Sequence, residues 1–143
     1  MAKFTFTLQN LLNLKEQKLE EAKITLARIK QDYLGECQEE KKLRAEIAEL
    51  KQGVFSQKKI YAQDLFLYQQ RLKGLQTRLE VCLHRQQILA KELANWRLEV
   101  LKRSKEHKVL LKLKQKQWEN FVNEQKKQEQ KELDEAAILR YTR

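Results

Sequence analysis

The near-absence of helix-breaking residues constrains this chain most strongly. It has no proline and only three glycines in 143 residues. Proline is the strongest helix breaker and glycine is the next. Apolar residues recur at every third or fourth position along two stretches, which are separated by a short break near Gly53. Because this spacing places one apolar stripe along each helix, the sequence predicts two long helices, of which the second is the longer.

The break between the two stretches predicts the only turn. Gly53 can end a helix in the left-handed conformation, and Ser56 can cap the next helix. We therefore place helix one at about residues 7–52, the turn at about 53–57 and helix two at about 58–138. A turn this short makes the helices antiparallel neighbours. The predicted fold is all-α, a long antiparallel two-helix coiled-coil hairpin that forms a single domain over residues 1–143.

The position of the turn also predicts which residues face each other. If the turn is centred near residue 56, residue i lies opposite about residue 112 minus i. The amino-terminal end of the first stretch, at Met1, therefore lies opposite about Leu111. Residues 112–143 then have no partner within the chain, and we call them the predicted overhang. As a helix they would extend roughly 50 Å, at 1.5 Å of rise per residue. We expect this overhanging C-terminal helix to bind a partner.

Positive charge is concentrated in the second stretch. Residues 1–55 contain 10 Lys and Arg against 9 Asp and Glu, whereas residues 56–143 contain 20 against 11. Five of these lysines follow helical three- and four-residue spacing and form a basic stripe: Lys102, Lys105, Lys108, Lys112 and Lys116. A solvated helix face is the simplest interpretation of any one lysine. A stripe located where helix one ends would attract an acidic partner.

An aromatic and apolar group follows the basic stripe. It consists of Trp118, Phe121 and Val122, for which the predicted pairing offers nothing in this chain to pack against. Such exposed apolar residues could pack on a second copy of the chain or anchor another protein. We favour the second interpretation.

Catalysis, metal binding and a membrane-spanning segment find no support in the sequence. His84 and His107 are too far apart on one helix to share a metal, and no glycine-rich phosphate loop is present. We therefore expect no enzyme activity and no cofactor. The amino terminus lacks the apolar core of a signal peptide, and no apolar run is long enough to span a membrane, so we expect a soluble cytosolic protein. The predicted pairing places Cys37 and Cys82 about two helical turns apart, too far for a disulfide.

A polar interruption of the apolar stripe is predicted midway along the hairpin. The heptad pattern turns Glu36 and Glu40 inward, and the predicted pairing brings Arg71, Gly74 and Arg78 to the same level. Carboxylates in a helix–helix contact are tolerated when arginines reach them. We expect a compliant level there.

Three segments resemble the flagellar FliJ family. Phe4–Glu16 is similar to the family's amino-terminal signature, an aromatic-x-Phe-x-Leu start that leads into a Leu-Leu-x-Leu-Lys helix. Tyr68-Gln69-Gln70 resembles its Tyr-Gln-Gln segment, although Arg71 follows where several members have an aromatic residue. The carboxy-terminal pattern is matched by Lys116–Phe121 together with Lys131–Ala136. The likeness spans nearly the whole chain.

This resemblance implies a non-enzymatic stalk and chaperone component of the flagellar type III protein export apparatus. Its implied partners are the hexameric export ATPase, the cytoplasmic domain of the membrane export gate, and export chaperones. The residues expected to contact the ATPase ring are Lys105, Lys108, Lys112, Lys116, Trp118, Phe121 and Val122. Those expected to contact the gate are Phe55, Tyr68, Gln69, Leu72 and Leu75. The chain would then be monomeric alone and peripheral to the inner face of the cell membrane, which it reaches only through the gate.

Three other functions fit the same pattern. The stalk of the related injectisome secretion system would use the same hairpin with different partners. A structural coiled-coil dimer needs only the apolar stripe. A nucleic-acid-binding helix would use the net charge of +10, but acidic residues follow the basic stripe and no groove-reading motif is present, so we expect no nucleic-acid partner.

Overall fold

The computed structural model describes residues 3–142 and contains two α-helices, α1 (Gln9–Phe55) and α2 (Ala62–Tyr141). Of the described residues, 91% are helical and none lies in a strand. This confirms the predicted all-α helical hairpin. The helices begin and end a few residues later than predicted, and residues 56–61 connect them. The structure divides into two compact units, residues 1–21 with 101–143 (the terminal unit) and residues 22–100 (the turn unit). Each unit contains a segment of both helices, and the single-domain interpretation stays a prediction.

The end of α1 differs from the predicted cap. Gly53 lies inside α1, and no described residue has a positive φ. Helix α1 instead closes with the Ser56 amide donating to the Gln52 carbonyl at 3.0 Å and the Ser56 hydroxyl donating to the Gly53 carbonyl, also at 3.0 Å. Ser56 therefore caps the carboxyl end of α1 and not the start of α2, because its hydroxyl satisfies a carbonyl left free by the helix end.

Within each unit the two helices pair antiparallel, but the predicted register is wrong. The Lys15 ammonium lies 2.9 Å from the Glu106 carboxylate, whereas the prediction placed residue 15 opposite about residue 97. The difference is roughly two and a half helical turns. A later turn is the physical reason. The connection is longer and lies closer to the carboxy terminus than predicted, which moves every facing partner in that direction.

The core of the turn unit surrounds Leu43, the largest fully buried side chain. Leu43 packs with Leu75 and Cys82, and partly buried Ile47, Leu50 and Leu79 lie against them. Buried apolar side chains on both helices at heptad spacing hold this segment together.

The core of the terminal unit includes residues outside the helices. Phe6 lies in the non-helical segment before α1 and is buried with Leu12 and Leu110, and Phe4 packs against this group. The start of α1 is fixed by the Gln9 amide donating to the Phe6 carbonyl at 3.1 Å. Residues 3–6 are non-helical and residues 7 and 8 form a turn, so this segment packs against α2 without being part of α1.

Candidate partner-binding surfaces

The basic stripe lies on the face of α2 that points away from α1. All five of its lysines are exposed. The residues of the same segment that contact α1 are Arg103, Glu106, Leu110 and Lys114, spaced by three or four positions. Because this spacing defines one helix face, the stripe occupies another. The predicted ATPase-contacting lysines therefore form a continuous exposed surface.

Contacts with α1 stabilise the opposite face of the same segment. Lys15 donates to Glu106, and the Lys114 ammonium donates to the Gln9 side-chain oxygen at 2.8 Å. The Arg103 guanidinium donates to the Lys18 carbonyl at 2.8 Å. The hydrogen bond from Lys15 is the main cause that lowers the pKa of the Glu106 carboxyl below its ordinary value. These bonds orient α2, so the stripe faces outward.

The predicted aromatic group has a partner in the chain, contrary to expectation. The Phe4 ring lies 5.2 Å from the Trp118 ring, edge to face, and 5.5 Å from the Phe121 ring. The Trp118 and Phe121 rings are stacked at 5.9 Å. We call these three residues the aromatic triad. The prediction that nothing packs on Trp118 and Phe121 is wrong because the register is shifted: Phe4 lies against Trp118, whereas the predicted pairing placed residue 4 opposite about residue 108.

Despite this packing, the aromatic triad is not closed to solvent. Trp118 retains 44% of its exposure, while Phe121 and Val122 are half-buried. The triad and Val122 thus present a partly apolar surface on a face other than that of the basic stripe. Edge-to-face and stacked ring pairs hold such a surface in one geometry. One feature of the sequence indicates a packing role for Phe4 and Phe6, namely their alternation with threonine just before the first helix.

Every residue from Lys126 to Thr142 is exposed. We call residues 126–142 the exposed C-terminal segment. It contains the apolar residues Leu133, Ile138, Leu139 and Tyr141, and a cavity lined by Leu133, Ala136, Ala137, Arg140 and Tyr141 lies on its surface. The unpartnered part of α2 therefore starts after Gln125, later than the predicted residue 112.

Four of the five predicted gate-contacting residues lie on the surface of the turn unit. Phe55, the last residue of α1, is 82% exposed, and Gln69 is exposed too. Tyr68 and Leu72 are half-buried. Leu75 is a core residue, 6% exposed beside Leu43, and offers no surface to a partner. The heptad position of a residue predicts that it lies near the turn. It does not predict whether the opposite helix covers its side chain.

Sequence reasoning missed several apolar side chains at the turn. They are Ile60, Tyr61, Leu65, Phe66 and Leu67, all of them exposed. The feature of the sequence that indicates them is the high proportion of apolar residues in 60–68, which exceeds what one apolar stripe of a helix requires. We call Phe55, Ile60, Tyr61, Leu65, Phe66 and Leu67 the turn patch.

The polar interruption exists and involves different partners from those predicted. The Cys82 thiol and the Gln86 amide both donate to the Glu36 carbonyl at 3.2 Å, and Gln86 also donates to the Glu40 carboxylate at 2.8 Å. The hydrogen bond from Gln86, followed by that from Arg44, lowers the pKa of the Glu40 carboxyl. Burial is the main cause that raises the pKa of the Cys82 thiol.

Two details of the predicted interruption are wrong. Arg78 pairs with Glu39 at 3.5 Å, and Arg85 lies 3.7 Å from Glu36, so Arg85 takes the place expected for Arg71. Cys82 contacts the residue next to Cys37, so the two thiols are not two helical turns apart; both are free. Both errors follow from the shifted register.

The described residues contain no group of three or more His, Cys, Asp or Glu side chains that could hold a metal ion. Over residues 3–142, neither helix combines the length and hydropathy needed to cross a bilayer. The open cavity beside the polar interruption is lined by Glu36, Glu39, Arg78 and Arg85 among others, and their charges are satisfied by each other.

The fold and these surfaces define an all-α helical hairpin protein with an exposed basic stripe and exposed apolar side chains. Comparison of the sequence with family models gives a match to the flagellar FliJ protein over residues 4–143. The chain belongs to the flagellar FliJ family, a group of export components, and this confirms the resemblance of the three segments. Its role is therefore related to flagellar protein export. No curated protein and no solved structure matches the chain.

Proposed function

We propose that this chain is a non-enzymatic stalk of the flagellar export apparatus, which inserts into the hexameric export ATPase ring and links it to the cytoplasmic domain of the export gate. The observation that carries the proposal is the exposed basic stripe of a FliJ-family hairpin, located on α2 beside the paired chain start. A narrow helical insert contacts the lining of a ring pore along its length. A stripe of lysines on the insert attracts acidic residues in that lining.

The ring-binding surface consists of the basic stripe and the exposed C-terminal segment. The stripe supplies attraction, and Leu133, Ala136 and Ala137 supply an apolar helix face. The aromatic triad joins the chain start to α2, and Trp118 and Val122 add surface next to it. An insert held by two helices resists bending better than a single helix, which suits a stalk that transmits force.

Binding to the purified export ATPase hexamer tests this role. We expect one wild-type chain to sediment with each hexamer. Reversing four stripe lysines (Lys105→Glu, Lys108→Glu, Lys112→Glu and Lys116→Glu) should weaken binding at least tenfold, since several charge contacts change sign together. The matched control reverses four exposed lysines of the turn unit, Lys23, Lys30, Lys41 and Lys42, and should bind as wild type. Equal loss in both variants would show only a dependence on net charge and would contradict the proposal.

The gate contact is assigned to the turn unit. We propose that Tyr68, Gln69 and Leu72, with Phe55, contact the cytoplasmic domain of the export gate. Their support is an accessible surface near the turn, with side chains that combine apolar area and hydrogen-bonding groups. Gln69→Ala with Leu72→Ala should weaken binding to the isolated gate domain. The control, Ile24→Ala, removes a side chain that is 68% exposed elsewhere in the same unit and should have no effect.

Family membership favours the flagellar over the injectisome apparatus. We further propose that the chain handles export chaperones and lies peripherally at the inner face of the cell membrane, at the flagellar base. Sedimentation of the chain alone tests a related expectation. A monomer supports a stalk, and a stable dimer at micromolar concentration would support the structural coiled coil instead.

A further inference from the structure

The turn patch is an unusually apolar surface for a connection between two helices. Its six large side chains lie within residues 55–67, and every one is at least 42% exposed. Phe55 is 82% exposed, Tyr61 71% and Phe66 58%. A single exposed apolar residue is ordinary, whereas a contiguous group of this kind marks an interaction surface.

Positive charge predominates in the part of the sequence that contains the turn patch. Residues 51–73 contain five Lys and Arg, and Asp64 is the one acidic residue among them. Lys58 and Lys59 lie in the connection itself, between Phe55 and Tyr61, and both are exposed. Lysines that alternate with exposed aromatic side chains favour an anionic surface with an apolar interior.

The exposed C-terminal segment gives an internal contrast. It also exposes large apolar side chains, among them Leu139 and Tyr141. However, residues 126–142 contain four Lys and Arg against four Asp and Glu, so their net charge is zero. An anionic surface would attract the turn and not this segment, although both are apolar.

The turn patch projects outward and does not form a pocket. The cavity near the turn is lined by Glu46, Glu49, Leu50, Gly53, Val54, Gln57 and Arg71, and none of the six patch residues belongs to it. Side chains that project from a connection find no matching hollow on a second copy of the same connection. A fluid bilayer surface adapts to them, and Tyr and Phe side chains favour its headgroup region.

We propose that the turn inserts into the headgroup region of an anionic lipid bilayer. Tyr61 and Phe66 enter the boundary between headgroups and acyl chains, and Lys58 and Lys59 contact lipid phosphates. The chain then lies on the membrane without crossing it, in accord with the absence of a spanning helix from residues 3–142. This contact needs no other export component, so it stands independently of the proposed stalk function.

A fluorescent probe at the turn tests the insertion directly. A polarity-sensitive dye is attached to Ser56→Cys in a Cys37→Ser chain, since Cys82 is only 3% exposed and is protected from labelling. The matched probe is Gln128→Cys in the exposed C-terminal segment. Vesicles of phosphatidylcholine with about one third phosphatidylglycerol should shift the emission of the dye at residue 56 to the blue and leave that at residue 128 unchanged, because apolar burial is confined to the turn. Equal emission at residue 56 with and without vesicles would overturn the proposal.

Vesicle sedimentation with the full-length chain tests the residues. Tyr61→Ser with Phe66→Ser should weaken binding about tenfold, because two aromatic side chains lose their burial. Leu139→Ser with Tyr141→Ser removes comparable apolar area from the other exposed segment and should bind as wild type. Lys58→Glu with Lys59→Glu should abolish the preference for anionic over pure phosphatidylcholine vesicles. Helical circular dichroism equal to that of wild type verifies the fold of each variant.

Two results would assign the patch differently. Wild-type affinity of the Tyr61→Ser, Phe66→Ser variant would show that the basic stripe alone holds the chain on vesicles, and the proposal would be wrong. Failure to bind vesicles, together with a wild-type dimer that this variant abolishes in sedimentation equilibrium, would make a second copy of the chain the occupant.

Discussion

The terminal unit and the turn unit pair the same two helices with different chemistry. In the terminal unit, Phe4 and Phe6 from a non-helical segment pack on α2, and the Phe4 ring contacts the Trp118 ring edge to face. In the turn unit, a compact apolar core around Leu43 adjoins a layer in which Gln86 and Cys82 donate to the backbone of α1. Helices with one continuous heptad pattern can thus be joined by aromatic packing and charged side chains in one segment, and by an apolar core with amide and thiol hydrogen bonds in another.

The difference has a consequence for specificity. Apolar contacts are non-directional and tolerate sliding by a heptad, whereas a side-chain amide that must reach one carbonyl fixes the register. We therefore expect the polar layer to fix the pairing of the turn unit and the apolar clusters to supply most of the stabilisation. Four measurements test this division, starting from the largest expected effect.

Truncation of the turn-unit core should have the largest effect. Leu43 is 1% exposed, so Leu43→Ala should lower the free energy of unfolding by about 2–5 kcal/mol, through lost burial and a cavity. Urea unfolding followed by circular dichroism measures it. Leu98→Ala, at a side chain that is 67% exposed, is the control and should change the free energy by less than about 0.5 kcal/mol. A comparable loss in both would contradict a localised core.

Removal of Phe4 should affect the terminal unit next most strongly. Phe4→Ala removes both ring contacts of the amino-terminal segment with α2, and each aromatic pair adds about 0.5–1.5 kcal/mol beyond area burial. In a Trp96→Phe background, the emission of Trp118 should shift to the red as the ring becomes more exposed. Thr5→Ala, at an exposed neighbour, should leave it unchanged. An unshifted spectrum for Phe4→Ala would show that the aromatic triad does not form in solution.

The polar layer should contribute less to stability than either apolar group. Gln86→Ala removes the hydrogen bonds to Glu36 and Glu40 and should cost about 1 kcal/mol, while exposed Gln87→Ala should be neutral. The sharper expectation concerns register. Disulfide trapping between cysteine pairs one heptad out of register should increase in Gln86→Ala, and an unchanged trapping pattern would refute a register-fixing role.

The ion pair of the terminal unit should give the smallest effect, visible as a pH dependence. The pKa of Glu106 is lowered in the folded chain, chiefly by Lys15, from an ordinary value of 4.5. Its contribution to stability is therefore complete above pH 4.5 and is lost as the pH falls through the lower folded value. The difference in unfolding free energy between wild type and Glu106→Gln should shrink below pH 4.5, and Lys15→Gln should reproduce it. A difference that is constant with pH would exclude this pair as its source.

Much of the fold was predictable, since helix type depends on local pattern. Without proline, the periodic apolar residues fixed two helices and one turn, and the lysines of the basic stripe were recognisable from their spacing alone. The extent to which the Trp118 and Leu75 side chains are covered by other residues was not predictable in the same way. Each lies at a reasonable helical position, yet Phe4 partly covers the first and the Leu43 cluster buries the second.

The sequence by itself determined helix content, the antiparallel pairing and the charge of each surface, because these depend on residue type and spacing. Tertiary structure alone decided the register, the aromatic triad and which apolar side chains remain exposed. The physical reason is that adding or moving a few residues of the connection between α1 and α2 shifts every pair of residues that face each other. The distance that the connection spans depends on its backbone conformation. Ser56 shows this directly, because its hydroxyl closes α1 and so delays the turn.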